Sequence, residues 1–346
     1  MTETAPVAAE DVGVVDAPAI PDLVFRRYRG AQDIPELVRL RNAVSKADDH
    51  PEVTTVAELA AYYANLTNSD PARDMVVAEV DGRLVADNRV AWSDTTDGQR
   101  TYELMCHVDP EYRRRGLGRA LLRHNERRIR EIAAGHVAAG RPPDSRWFQA
   151  WAYDTEVAAR ALFLQEGYTS ARHFYEMVRP HLDNVSRPVV PEGLEVRPGD
   201  AEQARQIFEA DAEAFQDHWG DVDASEAAFR RWVDDPAFDP SLWQIAWDGD
   251  QVAGLVVNAI YPAENETNGY LRGWLDSVAV RRPWRKRGLA RALIVSSLRL
   301  IRERGMTSAA LGVDTQNPNQ ALHLYEDTGF RVERSATVYR KALDET

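Results

Sequence analysis

Short apolar runs bounded by glycine, proline and Asp-Gly pairs alternate along this chain with longer segments of helical spacing, and the whole succession occurs twice. In the first half, residues 23–27 predict a strand. Asp33-Ile34-Pro35-Glu36-Leu37 predicts a helix start, with Asp33 as its cap and Pro35 in the first turn. Residues 75–80 and 84–92, joined by Asp81-Gly82, predict a hairpin. A strand at 103–108 runs through a basic turn into a helix reaching residue 139. Residues 140–144, rich in glycine and proline, break the chain. A strand (146–152), a helix (155–166, closed by Gly167) and a last strand (173–178) follow.

The second half repeats that order. Residues 194–197 predict a strand, 201–215 and 224–233 two helices, and 242–247 with 252–260 a hairpin about Asp248-Gly249. A strand at 274–280, a helix at 289–304 ended by Gly305, a strand at 309–314, a helix at 319–328 and a strand at 332–340 complete it. This order predicts an α/β (α+β) fold of two tandem domains, each a mixed, mostly antiparallel sheet flanked by helices. With 346 residues, each half is long enough to bury its own core. Pro180, Pro188 and Pro191 mark a linker. The expected segments are a disordered tail rich in Ala, Val, Pro and acidic residues (1–20), a first domain (21–180), the linker (181–192) and a second domain (193–346).

The shared strand–turn–helix carries the chemistry. Val108 leads to Arg113-Arg114-Arg115-Gly116-Leu117-Gly118, and Val278 and Val280 lead to Arg285-Lys286-Arg287-Gly288-Leu289-Ala290. The first N–H groups of a helix lack intrahelical partners, and the helix dipole adds positive charge there, so an anion is favoured. Glycine lets the backbone come close to a phosphate. One such turn alone fits an ordinary strand-to-helix connection with a solvated basic rim. Two copies in the same context point to phosphate binding. The turn lacks the Gly-x-Gly-x-x-Gly of a doubly wound dinucleotide fold and the Gly-Lys-Ser/Thr of a P-loop. Arg119, Arg123 and Arg127 recur on one helix face, which suits a solvated face and a nucleotide-phosphate contact equally.

Composition narrows the partners. The net charge of −13 excludes a nucleic-acid binder for the chain as a whole. Cys106 is the sole cysteine, so no intrachain disulfide forms; in an apolar strand it is expected to be a small buried hydrophobe. No apolar run is long enough for a membrane span and the N-terminus lacks a secretory pattern, which predicts a cytoplasmic protein. The histidines are scattered without ligand spacing, and no metal is expected.

These residues resemble the GNAT acyltransferase superfamily. Its strand ending in Val-x-x-Pro, followed by Arg/Gln-x-x-Gly-x-Gly/Ala, is approximated by Val108-Asp109-Pro110 with Arg113, Gly116 and Gly118. It is approximated again by Val280-Arg281-Arg282-Pro283 with Arg285, Gly288 and Ala290, the proline spacing differing by one residue between the copies. Asn317, Ala321, Leu324-Tyr325 and Gly329-Phe330 match the later motif, and the tandem arrangement is similar to that of mycothiol synthase-like two-domain acetyltransferases. The resemblance implies acetyl-CoA as co-substrate, with its pyrophosphate on the glycine turn and its pantetheine along the splayed end of the motif strand. It also implies direct attack by an acceptor amine on the thioester.

Tyr325 would then protonate the departing thiolate, since a phenol donates without ionising at neutral pH; otherwise it is a packed amphipathic tyrosine. Asn317 would bond pantetheine or adenine-side polar groups, or cap the helix ahead of Pro318. Counted back from Gly167, the first half has Phe163 and Thr155 at these places. It is therefore expected to keep the turn and lose the acid, leaving chemistry to the second domain.

An amine acceptor also needs a base. Alternation puts Asp276 on the strand face of Trp274, Val278 and Val280, either as that base or as a carboxylate satisfied by backbone or arginine. Asp217-His218-Trp219-Gly220 lies where this family forms a wall of the acceptor cleft, and His218 is a second candidate or a packing element. The expected activity is N-acetylation of a primary amine of a small molecule. Alternatives are a protein or peptide acetyltransferase and a non-catalytic acetyl-CoA sensor. A duplicated domain can supply its own interface, which predicts a monomer with the two domains as a pseudo-dimer.

Overall fold

The computed structural model describes residues 11–140, 143, 145–220, 222–317 and 321–343. The first ten residues of the expected tail, Arg141, Pro142 and Asp144 of the expected break, and Pro318 with the start of the helix at 319 lie outside the described residues. The chain forms two compact units, one of the described residues up to 170 together with 338–343, the other of 171–337.

In unit 1 the sheet order is β1 (Leu23–Arg27), β2 (Met75–Val80), β3 (Arg83–Asp94), β4 (Arg100–Val108), β5 (Arg146–Tyr153). Pairing is antiparallel except between β4 and β5. The helices are α1 (Ile34–Ala47), α2 (Val56–Ala64), α3 (Pro71–Asp74), α4 (Leu117–Ala138) and α5 (Val157–Gln165). β2 is apolar at successive positions because both its faces are covered. Met75 and Val77 pack with Leu37, Leu40 and Leu59 of α1 and α2, while Val76 and Ala78 pack with Leu117 and Leu121 of α4.

Several details differ from the sequence reading. Residues 11–20 of the expected tail are engaged: the Val12 N–H donates to the Phe25 carbonyl at 2.8 Å and Val14 is buried, an apolar alternation that extends the edge beside β1. Asp33 makes no capping bond; its buried carboxylate accepts from Arg26 and Arg29 instead. α2 was not predicted, although Thr55 and Glu58 form a capping box at its start.

Unit 2 contains β6 (Thr169–Arg179), β7 (Glu195–Pro198), α6 (Ala204–Phe215), α7 (Glu226–Val233), β8 (Gln244–Asp248) and β9 (Gln251–Ala259). α8 (Pro262–Asn268), β10 (Arg272–Val280), α9 (Leu289–Glu303), β11 (Ser308–Asp314), α10 (Ala321–Asp327) and β12 (Arg331–Ala342) follow. Its strand order is β6-β11-β10-β9-β8-β7. β6 lies antiparallel to β11, from Asp314 opposite Phe174 to Ala309 opposite Arg179. The end of the chain belongs to unit 1, where the Leu343 N–H donates to the Arg146 carbonyl. One face of the sheet packs Leu255 and Val257 on Ile207, Ala210 and Ala214 of α6; the other packs Ala246, Val256 and Leu311 with Leu289, Leu293 and Leu298 of α9.

Two features position the site. The parallel pairs β4–β5 and β10–β11 are joined only at one end, through Glu103–Gln149 and Trp274–Ala310, and the strands then part. A pocket opens in each unit where they diverge. Second, β9 and β10 shift register between Leu275 and Ser277, so that Asp276 stands opposite no residue, whereas β3 and β4 run unbroken from Ala86–Val108 to Asp94–Arg100.

Candidate active site

The basic turns take a conformation that sequence alone gives only in part. Gly288 has φ +82° and Lys286 +61°; Gly116 has +90° and Arg114 +63°. Left-handed backbone at a non-glycine residue is uncommon, and it recurs at the same place in both units. Alternate left-handed positions turn successive N–H groups into one concavity, which opens directly on the first turn of α9 or α4. Space beside Gly288 is open, with nothing within 4 Å of where a Cβ would stand. The backbone thus fits a phosphate group at this point.

Arg285 and Arg113 shape these turns from below. Arg285 donates to the Val280 carbonyl (2.9 Å), the Ala214 carbonyl (3.0 Å) and Asp217 (2.7 Å). Arg113 donates to the Val108 carbonyl (3.2 Å) and to both oxygens of Asp48. Arg287 donates to the Glu192 carbonyl (3.3 Å) and does not line the pocket, and Arg115 lies over the Tyr112 ring. Leu117 is buried in the core. Arg119 and Arg123 both pair with Glu166 at 2.9 Å on the surface of α4.

The unit 2 pocket, of about 990 Å³, brings together most of the predicted residues. Its wall includes Asp276, Val278 and Val280 of β10, Arg285, Lys286, Gly288, Leu289 and Ala290 of the turn, and Asn317, Tyr325 and His218. Tyr325 comes from α10, is 7 % exposed, and packs edge-on to Phe330. Burial pushes its phenol up to about 12, so it stays protonated, and its hydroxyl makes no hydrogen bond among the described residues. The His218 ring lies 4.4 Å from that of Phe215, and burial holds its pKa below the usual imidazole value.

Asp276 owes its place to the bulge. The Tyr261 hydroxyl donates to its Oδ2 at 2.7 Å. The carboxylate is open to the pocket yet walled by protein on its other sides. That desolvation raises its pKa to about 6 against the hydrogen bond from Tyr261, and Asp235 and Glu264 nearby push the same way. Beyond the bulge, the Ser277 hydroxyl donates to Asp211 of α6 at 2.6 Å, and burial also raises Asp211 to about 6. Neither Tyr261 nor Asp211 was singled out in the sequence; both are distant from the motif and meet it only through the folded sheet.

The unit 1 pocket, about 610 Å³, is lined by Val108, Arg113, Arg114, Gly116, Gly118 and Arg119, with Phe163 from α5. Phe163 packs on Tyr168 and Tyr339, and the Thr155 hydroxyl lies 3.4 Å from His50 Nε2. Cys106, expected to be buried, is exposed on this pocket because the strand edge beside it is unpaired; the enclosing protein and Asp87 push its thiol pKa up.

The sequence model of the acetyltransferase (GNAT) family matches residues 39–147 and 204–330, one stretch for each turn. The chain belongs to this family. A mycothiol acetyltransferase of Geodermatophilus obscurus is 30% identical over 313 residues, covering 88% of this chain and 93% of that protein. One from Salinispora arenicola is 29% identical over 302 residues, covering 82% and 91%. Among solved structures, a GCN5-related N-acetyltransferase from Sphaerobacter thermophilus aligns with a TM-score of 0.67 at 26% identity, covering 94% of this chain and 96% of that one. A tandem GNAT protein from the clavulanic acid biosynthesis pathway shares the fold, with a TM-score of 0.69 at 17% identity over 94% and 99% of the two chains. This GNAT protein is therefore an acyltransferase with two family regions in tandem, and its family uses acetyl-CoA as co-substrate. Among the described residues, no helix is long and apolar enough to cross a membrane.

Proposed function

We propose that this enzyme transfers the acetyl group of acetyl-CoA to the primary amine of a small molecule, and that unit 2 performs the chemistry. One observation carries this reading: Tyr325 and the bulged carboxylate of Asp276 face the same pocket as the left-handed turn at Lys286–Gly288. Acetyl-CoA supplies an activated thioester there. The N–H groups of the turn and Lys286 hold its diphosphate, and the unpaired edge of β10 at Val278 and Val280 offers backbone bonds to pantetheine, with Asn317 opposite. Asp276, ionised above about pH 6, takes a proton from the acceptor ammonium at Oδ1 or Oδ2. The amine nitrogen bonds the thioester carbonyl carbon as the carbon–sulfur bond breaks. Tyr325, kept protonated by burial, gives its hydroxyl proton to the departing sulfur and is reprotonated as the new amide nitrogen sheds its second proton. His218 contacts the acceptor from the α6 side.

The name shared by the curated relatives, mycothiol acetyltransferase, favours a small-molecule acceptor over a protein. Unit 1 keeps the anion turn without the phenol on its helix, which favours a non-catalytic role for it. The test is a panel of amines with purified protein and acetyl-CoA, read by thiol release and by product mass. Amine-dependent thiol release with a gain of one acetyl group is expected. Acetyl-CoA binding without turnover on any amine, or no binding, overturns the proposal.

A further inference from the structure

The stretch that runs from the end of α6 to Trp219 is fastened at two places. At one, the Asp217 carboxylate accepts from Arg285 (2.7 Å) and from Arg282 (3.0 Å to Nε). Arg285 is also bonded to the last carbonyl of β10, at Val280, and to Ala214 at the end of α6, so one guanidinium joins strand, turn and helix. At the other place, the Trp219 ring lies under the Arg172 guanidinium at 5.4 Å and beside Phe174 at 6.3 Å, and Arg172 is paired with Asp314 at the end of β11 (2.7 Å). β10 and β11 are the strands that part to form the pocket. This stretch therefore crosses the opening between them, and His218 and Trp219 line the pocket in between.

Unit 1 repeats the device with different residues. Asp48 takes both terminal nitrogens of Arg113, and two residues later the His50 ring packs at 4.4 Å on Tyr153, the last residue of β5. An acid that grips the turn arginine is followed two positions on by a ring tied to the second strand, directly through Tyr153 in unit 1 and by way of Arg172 of β6 in unit 2.

We propose that residues 214–219 are a strap that couples the two substrates of unit 2, with Asp217 as the positioning residue. Donor phosphate fixes the Lys286–Gly288 turn, the turn fixes Arg285, and Asp217 passes that order to His218 and Trp219 on the acceptor wall. By linkage, acceptor bound against the strap strengthens donor binding by the same factor. The inference rests on the donor site proposed above, and its test separates the two. Amide hydrogen exchange of 214–219 is followed with and without CoA, while calorimetry reports CoA affinity. CoA is expected to slow exchange of the strap about fivefold or more in the wild-type protein. In Asp217→Asn that protection falls below about twofold, with CoA affinity changed by no more than about threefold, and Asp217→Glu recovers part of it. Arg172→Gln, at the far end, weakens protection of Trp219 more than of Phe215. Asp217 is solvent-exposed, so the Asp217 variants keep the fold, and circular dichroism checks Arg172→Gln, whose ion pair with Asp314 is largely buried. Equal protection in wild type and Asp217→Asn, or no protection of 214–219 in a wild-type protein that binds CoA, overturns the coupling. Absence of CoA binding overturns the donor assignment and the coupling with it.

Discussion

The two units hold the same turn and different chemistry beside it. Arg114–Gly116 and Lys286–Gly288 share left-handed backbone, an arginine locked to the preceding strand, and a pocket between parted strands. Yet α10 presents the Tyr325 hydroxyl where α5 presents Phe163, and β10 bulges at Asp276 where β4 keeps perfect register. The turn is a property of the backbone, held by glycine, a helix start and an internal ion pair. A proton donor is one oxygen atom, and a bulge is one inserted residue; either disappears in a single change. The comparison teaches that a duplicated unit can keep its backbone turn while the side chains around its pocket change.

The strongest way to break the comparison is to disable each turn in turn. Gly288→Glu forces a side chain onto left-handed backbone and aims a carboxylate into the open space where phosphate is proposed to sit. Loss of acetyl-CoA binding to unit 2 by calorimetry and abolition of turnover are expected. Gly116→Glu, with the same strain at φ +90°, is expected to leave turnover within about twofold while removing any CoA bound by unit 1. Loss of activity in Gly116→Glu, in protein folded by circular dichroism, would mean that unit 1 is required for catalysis.

Tyr325→Phe gives unit 2 the side chain that unit 1 has. A fall in kcat of about 10²-fold, with acetyl-CoA affinity little changed, is the scale of one general acid. Equal rates under conditions where chemistry limits turnover would remove the distinction between the units. Asp276→Asn should cost less, about tenfold in kcat/KM, because water can relay the proton. Its signature is in pH: the wild-type rate climbs as pH passes about 6 and levels above it, and the variant lacks that limb. The same group has a stability consequence. Its pKa is raised in the fold from 3.8, so the native state holds the proton more tightly, and wild-type stability falls as pH rises from about 4 to about 6. Asp276→Asn should flatten that stretch of the melting-temperature profile.

Much of this was legible in the sequence, and the failures have common causes. The turn, its glycines, Tyr325 and the missing phenol at Phe163 follow from local motifs. The left-handed Lys286 does not, because nothing in lysine announces it. Asp276 was placed by strict alternation, which a bulge breaks: Trp274 and Val278 no longer share parity across it. Its partner Tyr261 and the Asp211–Ser277 bond depend on contacts far apart in sequence. The membership of β6 in unit 2 and of the chain end in unit 1 is hidden for the same reason, since a strand's apolar pattern is identical whichever neighbour it pairs with. α2 was a missed signal rather than an absent one, because Thr55 and Glu58 spell its start.

The smallest expected effect comes from the reverse exchange, Phe163→Tyr. If one phenol were all that separates the units, this change would give unit 1 a working acid. It should instead leave total turnover within about twofold. β4 has no bulge and so presents no counterpart of Asp276; by pairing, the residue before Met105 is Leu104, opposite Val90. Glu103, His107 and Glu156 line the unit 1 pocket at other places, and a site acting as a unit is not rebuilt one group at a time. The added hydroxyl would also enter the cluster of Tyr168 and Tyr339, where Phe163 packs at 5.7 and 5.4 Å. The decisive background for the measurement is Gly288→Glu, in which unit 2 is silent. Activity appearing in Gly288→Glu/Phe163→Tyr would show that the bulge is dispensable and that the phenol alone divides the two units. Continued silence, with unit 1 still binding CoA by calorimetry, would place the difference in the strand as well as in the helix.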